Sequence, residues 1–255
     1  FSNNGSGLWN YTIRQIAYLV YNYSKFTQYF NDSNSTGNEL YSVGLFDYNQ
    51  NGNRNDIVFC GIGKCSAFSQ NGSGLWNISF GTASSYIYDV EVFDRGNGYN
   101  DTIAIIDNDG STNGSLIILG KDGANLCNTT DLGSAYAIAI GDFNNDGNKR
   151  EIAVGEDGEV SAFYSNCSQI WTNILLTTAS REIETGDLNN DGYYDDVIVI
   201  DDDSGSNSYI QAFNGSSGGS IWNSSNAETI ITSLEVGIID SAAGDDIIAP
   251  CAASK

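Results

Sequence analysis

Short apolar runs alternate with polar, glycine-rich turns along almost the whole chain. Between residues 41 and 250 the runs are four to six residues long and rich in Ile, Val, Ala, Phe and Tyr. The intervening turns are built from Gly, Asn and Asp, and no stretch between them sustains a helical period. Such a pattern is typical of short β-strands joined by tight turns, so the sequence predicts an all-β fold.

The strand pattern repeats five times. Each repeat has an apolar strand, a polar loop, a second apolar strand, a hairpin with a third strand, and a short fourth strand. The loops open at positions 47, 94, 142, 187 and 238, so successive spacings are 47, 48, 45 and 51 residues. Four short strands in a unit of this length predict a β-propeller of about five four-stranded blades. A solenoid or a tandem β-sandwich is the alternative.

The two ends of the chain carry complementary parts of one repeat. Residues 1–10 (FSNNGSGLWN) match residues 68–77 (FSQNGSGLWN) almost letter for letter, and the fifth loop leads into only the first half of a repeat. We therefore expect residues 1–255 to form a single propeller domain. In it, residues 1–10 and 236–255 share the last blade, which the N-terminal strand completes.

Residues 11–40 interrupt this scheme as an irregular insertion that is rich in aromatic side chains. We expect an added hairpin or a short helix there. The ends also allow a second arrangement, in which residues 1–10 complete the open blade of a neighbouring subunit and head-to-tail repetition builds a filament.

A large side chain recurs in the fourth strand of the repeats. Tryptophan occupies this position in four of them, and cysteine in the fifth: Trp9, Trp76, Cys127, Trp171 and Trp222. We expect these side chains to pack at equivalent positions between neighbouring blades.

Acidic residues outnumber basic ones by a wide margin. The chain has 10 Lys and Arg against 32 Asp and Glu, a formal net charge of −22. This charge disfavours nucleic acid and anionic lipid as partners. The sequence contains no apolar run of the ~18 residues that a membrane-spanning helix needs, so we expect no membrane insertion.

Five cysteines favour an oxidising compartment if they pair. Cys60 and Cys65 flank a predicted hairpin turn, so a bridge across the hairpin is expected. Cys127 and Cys167 lie in the outer parts of successive repeats and are expected to join neighbours. Cys251 is left over. The alternative is five buried free thiols.

Asparagine is unusually often followed by the acceptor pattern for N-glycosylation. Thirteen residues open an Asn-x-Ser/Thr triplet, whereas composition alone would give about 5. This excess favours a glycosylated extracellular or cell-surface protein. The thirteen are Asn4, Asn10, Asn22, Asn31, Asn34, Asn71, Asn77, Asn100, Asn113, Asn128, Asn166, Asn214 and Asn223.

The loop at 187 has the composition of a calcium site. Side chains at alternate positions can converge on one point when the loop turns at Gly192, and hard oxygen ligands suit Ca²⁺. The chain contains no histidine, a ligand that softer metals prefer. The expected ligands are Asp187, Asn189, Asp191, the carbonyl of Tyr193 and Asp195.

Two further loops follow this pattern less completely. At 142 an arginine, Arg150, takes the ninth position, and the next acid is expected to substitute for it. The ligands expected there are Asp142, Asn144, Asp146, the carbonyl of Asn148 and Glu151. The loop at 47 offers Asp47, Asn49, Asn51 and the carbonyl of Asn53. The alternative for all three loops is a set of Asx turns, in which short polar side chains cap their own backbone.

These repeats resemble FG-GAP or VCBS repeats, the blades of integrin alpha-subunit propellers and of many secreted proteins. The motif Asp-x-Asn-x-Asp-Gly-x-x-Asp stands at 187–195 and, with its ninth position changed, at 142–150. The resemblance covers nearly the whole chain except residues 11–40. It implies that Ca²⁺ stiffens the blades and that the propeller serves adhesion, ligand binding or scaffolding. Integrin propellers have seven blades, whereas five loops are found here.

The function expected from these features is an extracellular, calcium-stabilised propeller that acts as a structural or adhesive module. Its partners would be further copies of itself, or a cell-surface protein or glycan. A lectin-like or protein-binding propeller is the alternative, and a polysaccharide-active enzyme is disfavoured because no nucleophile–base pair is evident. The remaining acid runs, 107–109 and 201–203, are interpreted as solvated hairpin turns.

Overall fold

The fold consists of strands and loops throughout the part of the chain that can be described. The computed structural model describes residues 40–80, 85–108, 113–175, 180–202, 208–225, 227, 231, 233–239 and 244–250. Every regular element in these ranges is a β-strand, which confirms the all-β prediction. Within the same ranges no helix has the length and apolar character needed to cross a membrane.

Four of the repeats form four-stranded antiparallel sheets in which sequential strands are neighbours. The first sheet contains β1 (Leu40–Phe46), β2 (Asp56–Gly61), β3 (Lys64–Phe68) and β4 (Gly74–Ser79). The second contains β5 (Tyr86–Phe93), β6 (Thr102–Asn108), β7 (Gly114–Leu119) and β8 (Asn125–Leu132). The third contains β9 (Ala135–Gly141), β10 (Glu151–Glu156), β11 (Glu159–Phe163) and β12 (Gln169–Ile174). The fourth contains β13 (Ser180–Gly186), β14 (Asp196–Asp202), β15 (Ser208–Asn214) and β16 (Ser220–Asn223).

The fifth repeat contributes two paired strands, β17 (Glu235–Gly237) and β18 (Asp246–Ile248). Three parts of the predicted scheme lie outside the described residues. They are the closing strand in residues 1–10, the insertion up to residue 39, and residues 251–255. The prediction that the N-terminal strand completes this blade therefore stays a prediction.

The second strand of each complete blade is the most deeply buried. All described side chains of β2, β10 and β14 are buried. Strands β10 and β14 contribute to core clusters with the blades on both sides, which explains why these segments read as continuous apolar runs rather than as alternating ones. The hydrophobic core is accordingly divided into layers between successive blades. Outer strands such as β12 and β16 are largely exposed.

The first strand of every blade lies innermost. Strands β1, β5, β9, β13 and β17 pack against one another in chain order and so surround a central axis. The long loop that follows each first strand therefore emerges at one end of the axis, and the turn between the third and fourth strands emerges at the same end. We call this end the loop face.

Candidate functional site: the loop face

Three of the five loops have the same backbone conformation. The fourth residue of each adopts a left-handed conformation, with φ of 56° at Gln50, Asn145 and Asn190. The sixth is a glycine with φ between 84° and 91° in all three. A β-carbon at these glycines would meet no atom within 4 Å. The glycines are therefore required by backbone conformation and not by space.

The first aspartate of each loop is tied to the turn that follows it. In the loop at 142, Asp146 N and Gly147 N donate to the two carboxylate oxygens of Asp142 at 3.0 and 2.7 Å. Asp47 and Asp187 accept the equivalent pairs of bonds. The Asx turns that the sequence allowed are present as well, at the asparagines Asn51, Asn144 and Asn189, each of which accepts from the backbone N–H two residues on. The bonds to the aspartates leave further oxygen lone pairs on these carboxylates, so turn and cation site are compatible.

The loops also link each blade to the next. The backbone N–H of Asp47 donates to the carbonyl of Asn100 at 2.8 Å, and that of Asp142 donates to the carbonyl of Tyr194 at 3.0 Å. Asp187 N donates to the Asp245 carboxylate at 2.9 Å, and Asp245 N returns a bond to the Asp187 carbonyl at 2.8 Å. The loops of neighbouring blades are therefore hydrogen-bonded to one another.

An acid at the start of the second strand accepts hydrogen bonds from the backbone of the loop that precedes it. Sequence reasoning largely missed this role. Asp196 accepts from Leu188 N at 2.9 Å and from Asn189 N at 3.1 Å. Asp56 accepts from Tyr48 N at 3.1 Å. The signal was available, because an acid opens the second strand in all five repeats: Asp56, Asp101, Glu151, Asp196 and Asp246.

The loop at 187 concentrates buried carboxylates. Asp195 and Asp196 are fully buried, and Oδ1 of each has no hydrogen-bond partner. Burial raises the pKa of Asp195 to about 6, and repulsion from Asp196 and Asp191 adds to the rise. Burial likewise raises the pKa of Asp196 to about 6. In the described part of the chain, none of these acids pairs with a basic side chain.

The negative charge of the loop at 142 is partly neutralised by an arginine of the same loop. Arg150 forms an ion pair with Asp146, and its Nε lies 3.9 Å from Glu151 Oε1. Burial still raises the pKa of Glu151 to about 7, with repulsion from Asp146 as the next cause. The arginine at the ninth position thus supplies positive charge where the loop at 187 has none.

The predicted ligands are distributed unevenly. Asn189, Asp191 and Tyr193 are exposed on the 187 loop, whereas Asp195 is buried against the neighbouring loop, where the Asn145 amide nitrogen lies 3.2 Å from its Oδ2. Asn144, Asp146 and Asn148 are exposed on the 142 loop, as are Asn49, Asn51 and Asn53 on the 47 loop. Among the described residues, no three Asp, Glu or Cys side chains converge as a ready metal group. A cation here would also need amide and carbonyl oxygens.

The residues nevertheless fit Ca²⁺ in chemistry and in charge. Calcium takes six to eight oxygens at flexible geometry, including amide and backbone carbonyl oxygens. The loop at 187 supplies such oxygens together with buried carboxylate oxygens that have no other partner. A divalent cation would offset the repulsion that raises the pKa values of Asp195 and Asp196.

Fourth-strand side chains join neighbouring blades, as the repeat predicted. The indole Nε1 of Trp76 donates to the carbonyl of Lys121 at 2.6 Å, and Trp171 donates to the carbonyl of Gly215. Both acceptors lie in the turn between the third and fourth strands of the next blade. Trp9 lies outside the described residues, and Trp222 is 37% exposed.

A disulfide takes the tryptophan's place in the second blade. Cys127 faces Ile118 in the same register in which Trp76 faces Ala67 and Trp171 faces Ala162. It is bonded to Cys167, which lies in the corresponding turn of the next blade. The second predicted disulfide, Cys60–Cys65, crosses the β2–β3 hairpin. Both pairings are confirmed.

The sequons that can be described lie mostly at the surface. Asn71, Asn77, Asn113, Asn128, Asn166 and Asn223 are exposed, and Asn100 and Asn214 are half-buried. Asn77, Asn128 and Asn223 lie on the outermost strands, whose free edges a glycan would shield from pairing with other chains. Asn4, Asn10, Asn22, Asn31 and Asn34 lie outside the described residues.

The acids at the end of β14 are not solvated as expected. Asp201 is fully buried and accepts from Gln211 Nε2 at 2.7 Å, while Asp202 is 5% exposed and accepts from Ser208 Oγ at 3.3 Å. The interpretation of this run as a solvated turn was therefore wrong for these two residues. They satisfy polar groups of the adjacent strand.

The innermost strands carry acids around the axis, which the sequence reasoning did not single out. Burial raises the pKa of Glu91 on β5 to about 7, and repulsion from Asp89 and Glu184 contributes. Burial also raises the pKa of Glu184 on β13 to about 7, followed by repulsion from Glu235. The signal was the alternation of acidic and apolar residues in DVEVF and EIETG.

Comparison with solved structures confirms the propeller. Sqt1 from Saccharomyces cerevisiae is 15% identical with a TM-score of 0.64, and the match covers 84% of this chain and 57% of that one. BBS1N, solved in complex with ARL6DN, is 15% identical with a TM-score of 0.55, and the match covers 82% of this chain and 62% of that one. Both neighbours are β-propellers, so the fold is shared.

This chain thus spans about three fifths of the length of each of these two structures. No protein-family model and no curated protein sequence matches it. The comparisons support the propeller fold that the resemblance to FG-GAP and VCBS repeats implies. They do not show that the chain belongs to that family.

Proposed function

We propose that this protein is an extracellular β-propeller whose loop face is stabilised by Ca²⁺ and which serves as a structural or adhesive module. The observation that carries the proposal is the pair of fully buried aspartates in the 187 loop, Asp195 and Asp196. Each has a carboxylate oxygen without a hydrogen-bond partner, and within the described ranges neither forms an ion pair with a basic side chain. The loop at 142 is a weaker second site because Arg150 competes there. The loop at 47 is weaker still, since it has one carboxylate among its expected ligands.

An extracellular setting is supported by two disulfides and by the excess of sequons. The structural role is supported by the way the loops bond blade to blade, because an ion in one loop would stiffen the ring beyond that loop. We propose no catalytic role. The partners that we propose are further copies of the same chain, or a cell-surface protein or glycan.

Metal removal gives the test. The thermal midpoint of the purified protein in calcium should fall by several degrees when a chelator is added, because binding to the native state alone contributes RT ln(1 + [L]/Kd). Asp187→Asn should lower the midpoint in calcium and reduce the effect of chelation. Asp94→Asn, at the first position of the shortened loop, is the matched control and should keep the full response. Equal midpoints with and without chelator would count against calcium stabilisation.

A protein-binding propeller is the second candidate, since the BBS1N propeller was solved in a complex with another protein, ARL6DN. Electron microscopy of native material and mass measurement at high dilution separate the two. A structural module assembles with its own copies, whereas a receptor propeller stays monomeric until its partner is added.

A further inference from the structure

A cavity on the loop face of the second blade is lined by two basic side chains. It measures ≈ 470 Å³ and lies between the shortened β5–β6 loop and the β7–β8 turn. Arg95 from the loop and Lys121 from the turn both line it. The chain has only ten basic residues at a net charge of −22, so two in one cavity are a local concentration of positive charge that balances the two acids, Asp101 and Asp122, in its lining.

The cavity lies where this blade departs from the repeat. The second loop position is apolar or aromatic in the three well-formed loops, where Tyr48, Phe143 and Leu188 pack against core layers. In the second blade that position is Arg95. The third strands of the other complete blades carry a phenylalanine at or next to their last residue, whereas this blade has Leu119 followed by Gly120. The loop and the strand end beside the cavity therefore differ from their counterparts in the other blades.

The two basic groups are available to a ligand. Among the described residues, neither the Arg95 guanidinium nor the Lys121 ammonium takes part in an ion pair or a hydrogen bond. Both side chains are half-buried. A partly desolvated cation without a counter-ion binds an anion more strongly than a fully solvated one does.

The two acids that line the same cavity already accept hydrogen bonds, unlike the two basic groups. Asp101 is 5% exposed, and its Oδ2 already accepts from Gln50 Nε2 at 2.7 Å and from Asn97 Nδ2 at 2.9 Å. Asp122 is exposed and accepts from Ala124 N at 3.1 Å through Oδ1. Its remaining oxygen can accept from a hydroxyl group. Leu126, 43% exposed, supplies an apolar wall.

We propose that this cavity is a binding site for an acidic saccharide, with the carboxylate of a uronic acid residue held between Arg95 and Lys121. A uronic acid combines one carboxylate for the two cations with hydroxyl donors for Asp122, and its ring has an apolar face for Leu126. A run of acidic peptide offers carboxylates to the two cations but neither ring hydroxyls for Asp122 nor a sugar ring for Leu126. A neutral sugar would leave both cations unpaired. The site does not depend on the proposed calcium loops.

Binding of a short oligosaccharide tests the site. The probe is a hexamer of β-1,4-linked glucuronate, and its comparison ligands are the neutral glucose hexamer and a hexaglutamate peptide. Short probes are needed because the field of the whole molecule opposes long polyanions. We expect the full-length protein to bind the glucuronate hexamer in isothermal titration and to bind neither comparison ligand measurably.

Charge removal gives the matched comparison. Arg95→Gln and Lys121→Gln should each weaken binding about tenfold or more, as for loss of a charge-assisted hydrogen bond. Lys64→Gln makes the same change in net charge at the β2–β3 turn and should bind like the wild type. Unchanged thermal midpoints would show that each variant is folded. A similar loss of binding in both cavity variants would show that the effect is not peculiar to one substitution. The proposal is overturned by absent hexamer binding, by equal binding of hexaglutamate, or by an equal loss in Lys64→Gln.

Discussion

Replacing Trp171 by alanine is expected to destabilise the protein by about 3–5 kcal/mol, since a large aromatic side chain is lost from a packed interface. The Trp171 ring lies over Gly218, where a β-carbon would come within 2.9 Å of it, and its N–H bonds to the Gly215 carbonyl. It also packs against Phe213, with ring centroids 6.4 Å apart. The variant would lose contacts with three residues of the next blade at once.

Ile174→Ala is the matched control, because Ile174 lies on the same strand and is 75% exposed. It should change the free energy of unfolding by no more than about 0.5 kcal/mol. Denaturant unfolding at fixed calcium measures both variants. Wild-type stability of Trp171→Ala would show that the fourth strand does not hold neighbouring blades together.

The free energy of unfolding is expected to fall as the pH rises from 5 to 8 at constant calcium. Burial raises the native pKa of Glu91 and of Glu184 to about 7, well above the value of about 4.3 in an unfolded chain. The native state therefore binds more protons between these values. The associated stability is complete below the unfolded pKa and is lost as the pH rises through the native pKa.

Repulsion from neighbouring charges adds to the effect of burial on these two pKa values. Glu91 faces Asp89 and Glu184, with Arg54 as an opposing charge, and Glu184 faces Glu235, Glu182 and Asp89. Lys149 acts on Glu184 from the adjacent loop. Acids thus outnumber bases around the axis, and every deprotonation adds repulsion.

The double variant Glu91→Gln, Glu184→Gln isolates this effect, since glutamine resembles the protonated acid. We expect it to match the wild type near pH 5, to exceed it at pH 8, and to show a flatter pH profile. Glu159→Gln removes an acid from an exposed hairpin turn and should keep the wild-type slope. A double variant with the wild-type slope would show that the axial acids do not govern the pH dependence.

Features that depend on repetition could be predicted from the sequence. The equivalence of Trp76, Cys127 and Trp171 follows from their spacing. The Cys127–Cys167 bridge follows from the position of both cysteines in the outer parts of successive repeats. The shared loop conformation followed from Gly192 and its counterparts. These predictions compare one repeat with another and need no knowledge of how far apart two blades lie.

Features that depend on the ring itself could not be predicted in this way. Glu91 and Glu184 stand on alternating strands, and alternation alone does not distinguish a solvated face from the inside of a ring. The sequence predicts a solvated turn at Asp201, yet the strand continues past it and buries it beside Gln211. The sequence assigns Asp195 to its own loop, whereas its carboxylate also contacts Asn145 of the preceding blade.

Calcium titration by calorimetry is the most direct test of the central claim, that the loop face is a calcium-binding surface. We expect the metal-free protein to bind Ca²⁺ most tightly at the 187 loop, with weaker binding at the 142 loop where Arg150 competes. Asp187→Asn should abolish the tight site, and Asp94→Asn should leave it intact. No heat of binding in the metal-free protein, or a tight site that survives Asp187→Asn, would contradict this claim.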